Sequence, residues 1–323
     1  MLHLRLLRRA LLAGGASLLA APALAQAWPS RPIRMMVGFA PGGAADSIAR
    51  LIAPSIGASL GQTVVVENRS GASGTNAAGS VAASAPDGHT VLLSTLSHLS
   101  NPHLFGGLPF DYATAFAPVS QVVLFPTVLA VRRDFPAGNI AEFLALARAR
   151  PEPVSYGTPG NATAQHMAGE LFQLRTGIRL EHVPYRGGAD AARDLAAGVI
   201  EASFNSVGSL GPAFAAGARP LVAVTPARIP SLPDVPTGTE VGIEDFSLSD
   251  ICGVYAPAAT PPDRVARLQQ AIAAALGREE VRARLRMLEA EPVGSSPAEF
   301  ARFTETEGAR LGVLIRAAGI KLS

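Results

Sequence analysis

The chain has 323 residues, with 27 Lys and Arg against 25 Asp and Glu, and 48% of its residues are hydrophobic. The scattered arginines form no basic stripe of the kind that tracks a nucleic-acid backbone, and a chain of this length can bury enough apolar surface to fold without disulfides. The single cysteine, Cys252, excludes an intrachain disulfide and cysteine-paired zinc sites, and its apolar neighbours mark it as a core residue.

Residues 1–25 read as an export signal. Arg5, Arg8 and Arg9 make a basic start. Ala10 to Ala21 is an apolar stretch too short to span a bilayer comfortably, and Ala23-Leu24-Ala25 supplies a small-residue cleavage site. An uncleaved membrane anchor is the alternative, and Pro22 beside the cleavage site argues against it. Arg8-Arg9 also fits a twin-arginine signal, so the general or the twin-arginine export route would serve. Cleavage leaves 24 basic against 25 acidic residues, a net charge of −1 in place of +2.

An apolar run, Ile33–Phe39, reads as a buried strand that stops at Pro41-Gly42-Gly43. The spacing of Ile48, Leu51 and Ile52 then predicts a helix over Ala44–Leu60. A strand at Thr63–Glu67, a helix at Gly74–Ala83, a turn at Pro86-Asp87-Gly88 and a strand at Thr90–Thr95 complete a βαβαβ pattern. Such alternation implies a parallel sheet with helices on its faces. A second unit alternates strands at Thr127–Val131, Val154–Gly157, Arg179–Tyr185, Ile200–Phe204 and Leu221–Thr225 with helices. Those helices are expected at Ile140–Ala149, after Ala162 through Leu174, at Asp190–Ala197 and at Ser209–Ala216. Pro226 to Pro236 is a loop of rigid turns. Ile251–Ala256 is a strand, and Pro262–Leu276, Glu279–Leu288 and Pro297–Ala318 are helices. The expectation is an α/β fold of two lobes, each a sheet flanked by helices. Residues 26–125 plus 249–323 form one lobe and 126–248 the other, with chain crossings near 125 and 248.

Three loops after strand ends carry the candidate chemistry. In the first, Phe39, Gly42, Gly43 and Asp46 surround a helix N-terminus, where unpaired N–H groups and the helix dipole favour an anion. The second offers Ser94, Thr95 and His98 beyond a strand C-terminus, where open α/β sheets bind ligands. The third, with Thr158, Gly160, Asn161, Ala162, Thr163 and His166, repeats the logic of the first in the other lobe. Each also reads as an ordinary connection taken alone. Tyr185 and Asn205 end two further strands and would complete a cleft. Arg186 could attract a carboxylate or simply lie at the surface. No P-loop or G-x-G-x-x-G is present, and the six histidines form no H-x-x-x-H pair. A non-enzymatic binding protein without cofactor or metal is therefore expected.

The chain resembles the periplasmic solute-binding proteins of tripartite tricarboxylate transporters, the Bordetella uptake gene (Bug) family. The resemblance rests on ordered blocks across nearly the whole mature chain. They include Trp28-Pro29-Ser30-Arg31-Pro32, Phe39-Ala40-Pro41-Gly42-Gly43, Val65-Val66-Glu67-Asn68-Arg69, Ala85-Pro86-Asp87-Gly88, Gly160-Asn161, His182-Val183-Pro184-Tyr185-Arg186-Gly187 and Leu232-Pro233-Asp234-Val235-Pro236. It implies a Venus-flytrap fold of the type II kind. A small organic carboxylate would lie between the lobes near the first glycine turn, held partly through water, and be delivered to membrane permease subunits. Phe39, Gly42, Gly43, Asp46, Gly160, Asn161, Ala162, Thr163 and Tyr185 match the family's site. Where similar proteins read Phe-Asp-Asn, this chain has Phe204-Asn205-Ser206, an amide in place of an acid, which implies a preference against amino acids. A monomer is expected. A receptor presenting its ligand to a signalling partner would share the same cleft, and an exported enzyme is the remaining alternative.

Overall fold

The computed structural model describes residues 27–248 and 250–321, and the export signal expected at residues 1–25 lies outside the described residues. Two sheets organise the chain. The first contains β1 (Ile33–Val37), β2 (Val64–Asn68), β3 (Thr90–Thr95), β4 (Phe116–Phe125), β10 (Asp250–Pro257) and the short β11 (Glu291–Pro292), in the order β11-β4-β10-β3-β1-β2. The second contains β5 (Thr127–Val131), β6 (Val154–Thr158), β7 (Leu180–Pro184), β8 (Ala202–Ser206) and β9 (Arg219–Ala223), in the order β7-β6-β8-β5-β9.

Parallel strands buried on both faces read as unbroken apolar runs. In β1 the alternating side chains enter two cores. Ile33, Met35 and Val37 pack with Ile48, Ile52 and Ile56 of the helix Ala44–Leu60. Met36 turns the other way and packs with Ala77, Val81 and Leu92. The second core continues into the other lobe through Leu129, Phe172 and Phe204 and reaches Leu311 and Ile315 of the long helix Pro297–Ala318. Pro297 and a capping box between Ser296 and Glu299 start that helix, as its sequence requires.

Besides short elements such as the helix Tyr112–Ala115 and β11, two longer ones depart from the sequence expectation. β4 was not anticipated, because Pro118 interrupts its apolar run. The strand accommodates that proline at a register irregularity opposite Tyr255 of β10. Ser97–Leu104, expected as a loop, is a helix containing Pro102. Packing against the helix Pro297–Ala318 outweighs its poor local propensity. Chain passage between the sheets is short. β4 runs into β5 through Pro126 alone, and the return precedes Asp250, which pairs with Phe125.

Candidate functional site

The end of β1 meets its neighbours at backbone distance. A Cβ on Gly38 would lie 2.5 Å from the Cα of Gly74, so the two glycines let the segments touch. The loop that brings Gly74 there is strained. Gly71, Ala72, Ser73 and Gly74 all have positive φ, at +117°, +47°, +51° and +89°. Left-handed Ala and Ser cost on the order of 1 kcal/mol or more each and persist only where the surroundings over-determine them. The Phe39 ring lies against Gly74.

Beyond Phe39 the chain turns through Gly42, at φ +81°, into the helix Ala44–Leu60. Gly43 is its N-cap, and no side chain among the described residues caps it. The first intrahelical bond runs from the Ser47 N–H to the Gly43 carbonyl. The N–H groups of Ala44, Ala45 and Asp46 therefore lack intrahelical partners, and Pro41 to Ala44 are exposed. The Asp46 side chain is buried and braces the turn from behind. Its carboxylate accepts from the Gly42 N–H at 2.8 Å, from Arg50 Nε at 2.9 Å and from Asn68 Nδ2 at 2.8 Å. Burial alone would raise its pKa, but the bonds from Arg50, Gly42 and Asn68 outweigh this and lower it. Asn68 also donates to the Phe39 carbonyl and so ties the turn to β2.

The second glycine turn leaves β6. Gly160 stands at φ +141°, where a Cβ would come within 3.1 Å of the Tyr185 carbonyl. Thr163 caps the helix Ala164–Thr176, accepting from the His166 N–H and donating to the Gly160 carbonyl at 2.7 Å. Ala162 sits at φ +59° and is buried. Its N–H donates to Nδ1 of His166 at 3.3 Å, which makes that imidazole the Nε2–H tautomer. His166 stacks on His182 at 4.1 Å. Burial lowers His166 to about 4. Burial and the neighbouring His166 lower His182 to about 3, so both rings are neutral at physiological pH.

The lobes meet at this turn. Ser100 and Ser97 of the first lobe donate to the Ala162 carbonyl at 2.9 Å and 3.2 Å, and both serines are fully buried. Ser73 donates to the Asn161 carbonyl at 3.3 Å. Gln165 donates to Asp250 at 2.9 Å. Asp250 keeps some exposure as a residue, yet desolvation pushes its carboxyl up to about 6 against the lowering effect of Gln165 and the Ile251 N–H. The loop from Gly71 to Gly74 thus touches Phe39 of the first turn and, through Ser73, the Asn161 carbonyl of the second.

The other expected residues fall into distinct places. Ser94 is buried at the end of β3, and Thr95 accepts from the Ser97 N–H at the start of the next helix. Thr158 is buried and bonds to His182 and to the Gly160 backbone. Tyr185 gives its hydroxyl to Asp194 at 3.0 Å. Asn205 is fully buried, donating to the Gly188 carbonyl and accepting from the Ser206 N–H, both at 2.9 Å. Its bond to the Gly188 carbonyl ties the end of β8 to the start of the helix Gly188–Ala196. His98 is not brought to the turns. It lies in an aromatic box with Tyr112, Phe116 and Tyr255. A cavity of about 670 Å³ between the helices Ala164–Thr176 and Pro297–Ala318 is lined by neither turn.

Sequence reasoning gave no site role to Asn68 or Ser73, and it placed Ser97, Ser100 and Gln165 in candidate loops without singling them out. Asn68 was within reach, since parallel pairing of β1 with β2 sets it opposite Val37, just before the turn. The flanking Gly71 and Gly74 were a local signal for Ser73.

The family model described as the tripartite tricarboxylate transporter family receptor matches residues 48–320. Protein BugT of Bordetella pertussis is 34% identical over 307 residues, covering 94% of each chain. The R. palustris protein Rpa4515, solved with adipate, is 36% identical with a TM-score of 0.83, over 91% of this chain and 99% of that one. MatC from Rhodopseudomonas palustris, solved with bound malate, is 30% identical with a TM-score of 0.80, over 89% of this chain and 100% of that one.

Proposed function

The chain belongs to the tripartite tricarboxylate transporter receptor family, and from that membership we propose that it is an exported, monomeric solute-binding protein. It closes its two lobes on a small organic dicarboxylate in the periplasm and hands it to permease subunits of the tripartite type. The observation that carries this reading is the uncapped N-terminus at Gly43. Three helix N–H groups there have no intrahelical partner, beside an exposed glycine turn. A carboxylate satisfies such donors and the helix dipole together. No Lys or Arg lies between Phe39 and Ala45, and Arg50 is already bonded to Asp46, so backbone and water supply the contacts. Asn161 and Thr163 border the opposite side. Closure excludes water and strengthens each bond. The adipate and malate bound to the two R. palustris proteins have the expected size and charge.

Asn205 bears on selectivity through the Gly187-Gly188 turn. An aspartate there would accept from Ser206 but would not donate to the Gly188 carbonyl. The amide therefore sets a turn suited to ligands without an amino group.

A thermal-shift and calorimetry panel of adipate, succinate, malate, aspartate and glutamate tests the reading on the mature chain. A cognate dicarboxylate at about 100 times its Kd adds about 2.7 kcal/mol, a rise of roughly 5–10 °C in Tm. Tight aspartate or glutamate binding with none to simple dicarboxylates overturns the selectivity argument. Gly43→Val places a branched side chain over the free N–H groups and should abolish binding. Unchanged affinity in that variant removes the first turn from the site.

A further inference from the structure

The cavity of about 670 Å³ between the helices Ala164–Thr176 and Pro297–Ala318 takes one wall from each lobe, and its size suits a small ligand. Leu171 and Leu174 line it from one helix, and Phe303, Leu311, Val313 and Leu314 from the other. Leu174 and Val313 are exposed. Two arginines stand in this apolar lining, and they approach the same stretch of chain. Arg175 reaches Asp245, and Arg310 donates to the Ser247 carbonyl at 2.8 Å. Phe246 between them is buried against Phe172, which fixes the stretch. The two guanidinium groups thus come from opposite lobes and bond to residues two positions apart. Their acidic neighbours are not equivalent. Glu307 spends both oxygens on Arg310, at 2.9 Å and 2.7 Å. Asp245 is 83% exposed and meets Arg175 only at 3.5 Å, longer than a strong bond. Nε and Nη1 of Arg175, and Nη1 of Arg310, make no hydrogen bond among the described residues. The cavity therefore offers spare cationic donors beside an apolar wall, and its one loosely held carboxylate lies largely in water.

We propose that this cavity is a second binding site, one that takes an amphipathic monocarboxylate. The carboxylate replaces Asp245 on Arg175, with Arg310 supplying a further donor from the other lobe. The apolar body of the ligand lies along Leu171, Leu174, Leu311 and Leu314. A second carboxylate at the far end would lose its water against leucine and phenylalanine without gaining a partner. The site thus selects against the small dicarboxylates proposed for the cleft. An uncharged alcohol of the same length keeps the apolar contact and loses the charge-assisted bonds.

Octanoate and octanol, kept below the concentrations at which they aggregate, are suitable probes for calorimetry on the full mature chain. Octanoate should bind saturably and more tightly than octanol. Arg175→Gln should weaken octanoate about tenfold or more and leave octanol unchanged. Asp245→Asn should strengthen octanoate about two- to fivefold, because it removes a weakly paired competing carboxylate. Asparagine also tolerates the φ of +50° at that position. Leu174→Asp, at an exposed position, should abolish binding of both probes. Val313→Asp serves the same purpose if Leu174→Asp folds poorly. The proposal is overturned by any one of four results: no saturable octanoate binding, octanoate binding that survives Leu174→Asp, an Arg175→Gln variant that loses neither probe or both equally, or weaker octanoate in Asp245→Asn. Adipate affinity is read in parallel and should not move in these variants, since none of their positions lies in either glycine turn. A missing adipate response counts against the cleft reading alone.

Discussion

The two glycine turns share one sequence logic and are finished in opposite ways. At Gly43 the helix is left uncapped, the turn is exposed, and a charged carboxylate, Asp46, braces it from behind. At Thr163 the helix is capped, Ala162 is buried, and a neutral imidazole, His166, braces it while two serines of the other lobe hold its carbonyl. Strand, glycine and helix N-terminus therefore do not dictate one role. The first turn keeps its donors free, and the second spends its groups on joining the lobes.

Acid should separate the two turns most strongly. His166 and His182 have folded pKa values depressed below the ordinary 6.5, so their contribution is complete above 6.5 and is lost as pH falls towards 4 and 3. For His166 alone this is on the order of 3 kcal/mol. Asp46 is depressed below 3.8, so its contribution survives until pH falls below that value. Asp250 acts with the opposite sign. Its folded value of about 6 lies above 3.8, so its contribution is complete below 3.8 and lost as pH rises through 6. Glu170, raised by burial, acts in the same sense as Asp250. Urea unfolding should show stability falling between pH 6.5 and 4.5, less steeply in His166→Gln and more steeply in Asp250→Asn. A flat profile across that window in the parent protein contradicts the assignment of neutral histidines under the second turn.

Asp46→Ala should come next in size. It strands the Gly42 N–H and Asn68 and costs about 2 kcal/mol, with Arg50 sufficiently exposed to find water. Dicarboxylate affinity should drop at least tenfold, since the free N–H groups lose their fixed direction. The same loss of stability with unchanged affinity would make Asp46 a purely structural brace.

Ser97→Ala with Ser100→Ala tests the join between the lobes. Each bond to the Ala162 carbonyl is worth about 1 kcal/mol, so the pair should raise Kd by roughly 5- to 30-fold. The order of ligand preference should stay the same, because the serines bond to backbone of the other lobe. A change in that order would place them against the ligand.

Much of the fold was legible because β1, β3 and the helix Ala44–Leu60 carry uninterrupted periodic signals that tertiary contacts only reinforce. Both glycine turns were legible for the same reason, being local. What joins them was not. Ser100 and Ala162 are separated by 62 positions, and their bond exists only because the lobes pack. Ser97–Leu104 shows the same limit from another side. Its serines, Asn101 and Pro102 signal a loop, and contact with the helix Pro297–Ala318 decides otherwise. His98 accordingly suggested a loop ligand while standing in an aromatic box whose other walls come from residues 112, 116 and 255.

The smallest effect is the most discriminating. Gly43 has φ −74° and ψ 171°, a backbone that an N-cap serine adopts readily, and a Cβ there would lie 3.3 Å from the Ala40 carbonyl, a contact a slight shift relieves. Gly43→Ser should therefore stabilise the helix by a few tenths of a kcal/mol, as serine does over glycine at an N-cap. Its hydroxyl accepts from the Ala45 or Asp46 N–H, the same donors a carboxylate would use. Stability should rise while dicarboxylate affinity falls, the trade expected when a site is kept unsatisfied for its ligand. Thr163→Ser keeps the cap of the second turn and should move neither quantity. If Gly43→Ser raised stability and affinity together, the missing cap would be an accident of sequence, and the two turns would differ only in how they are braced.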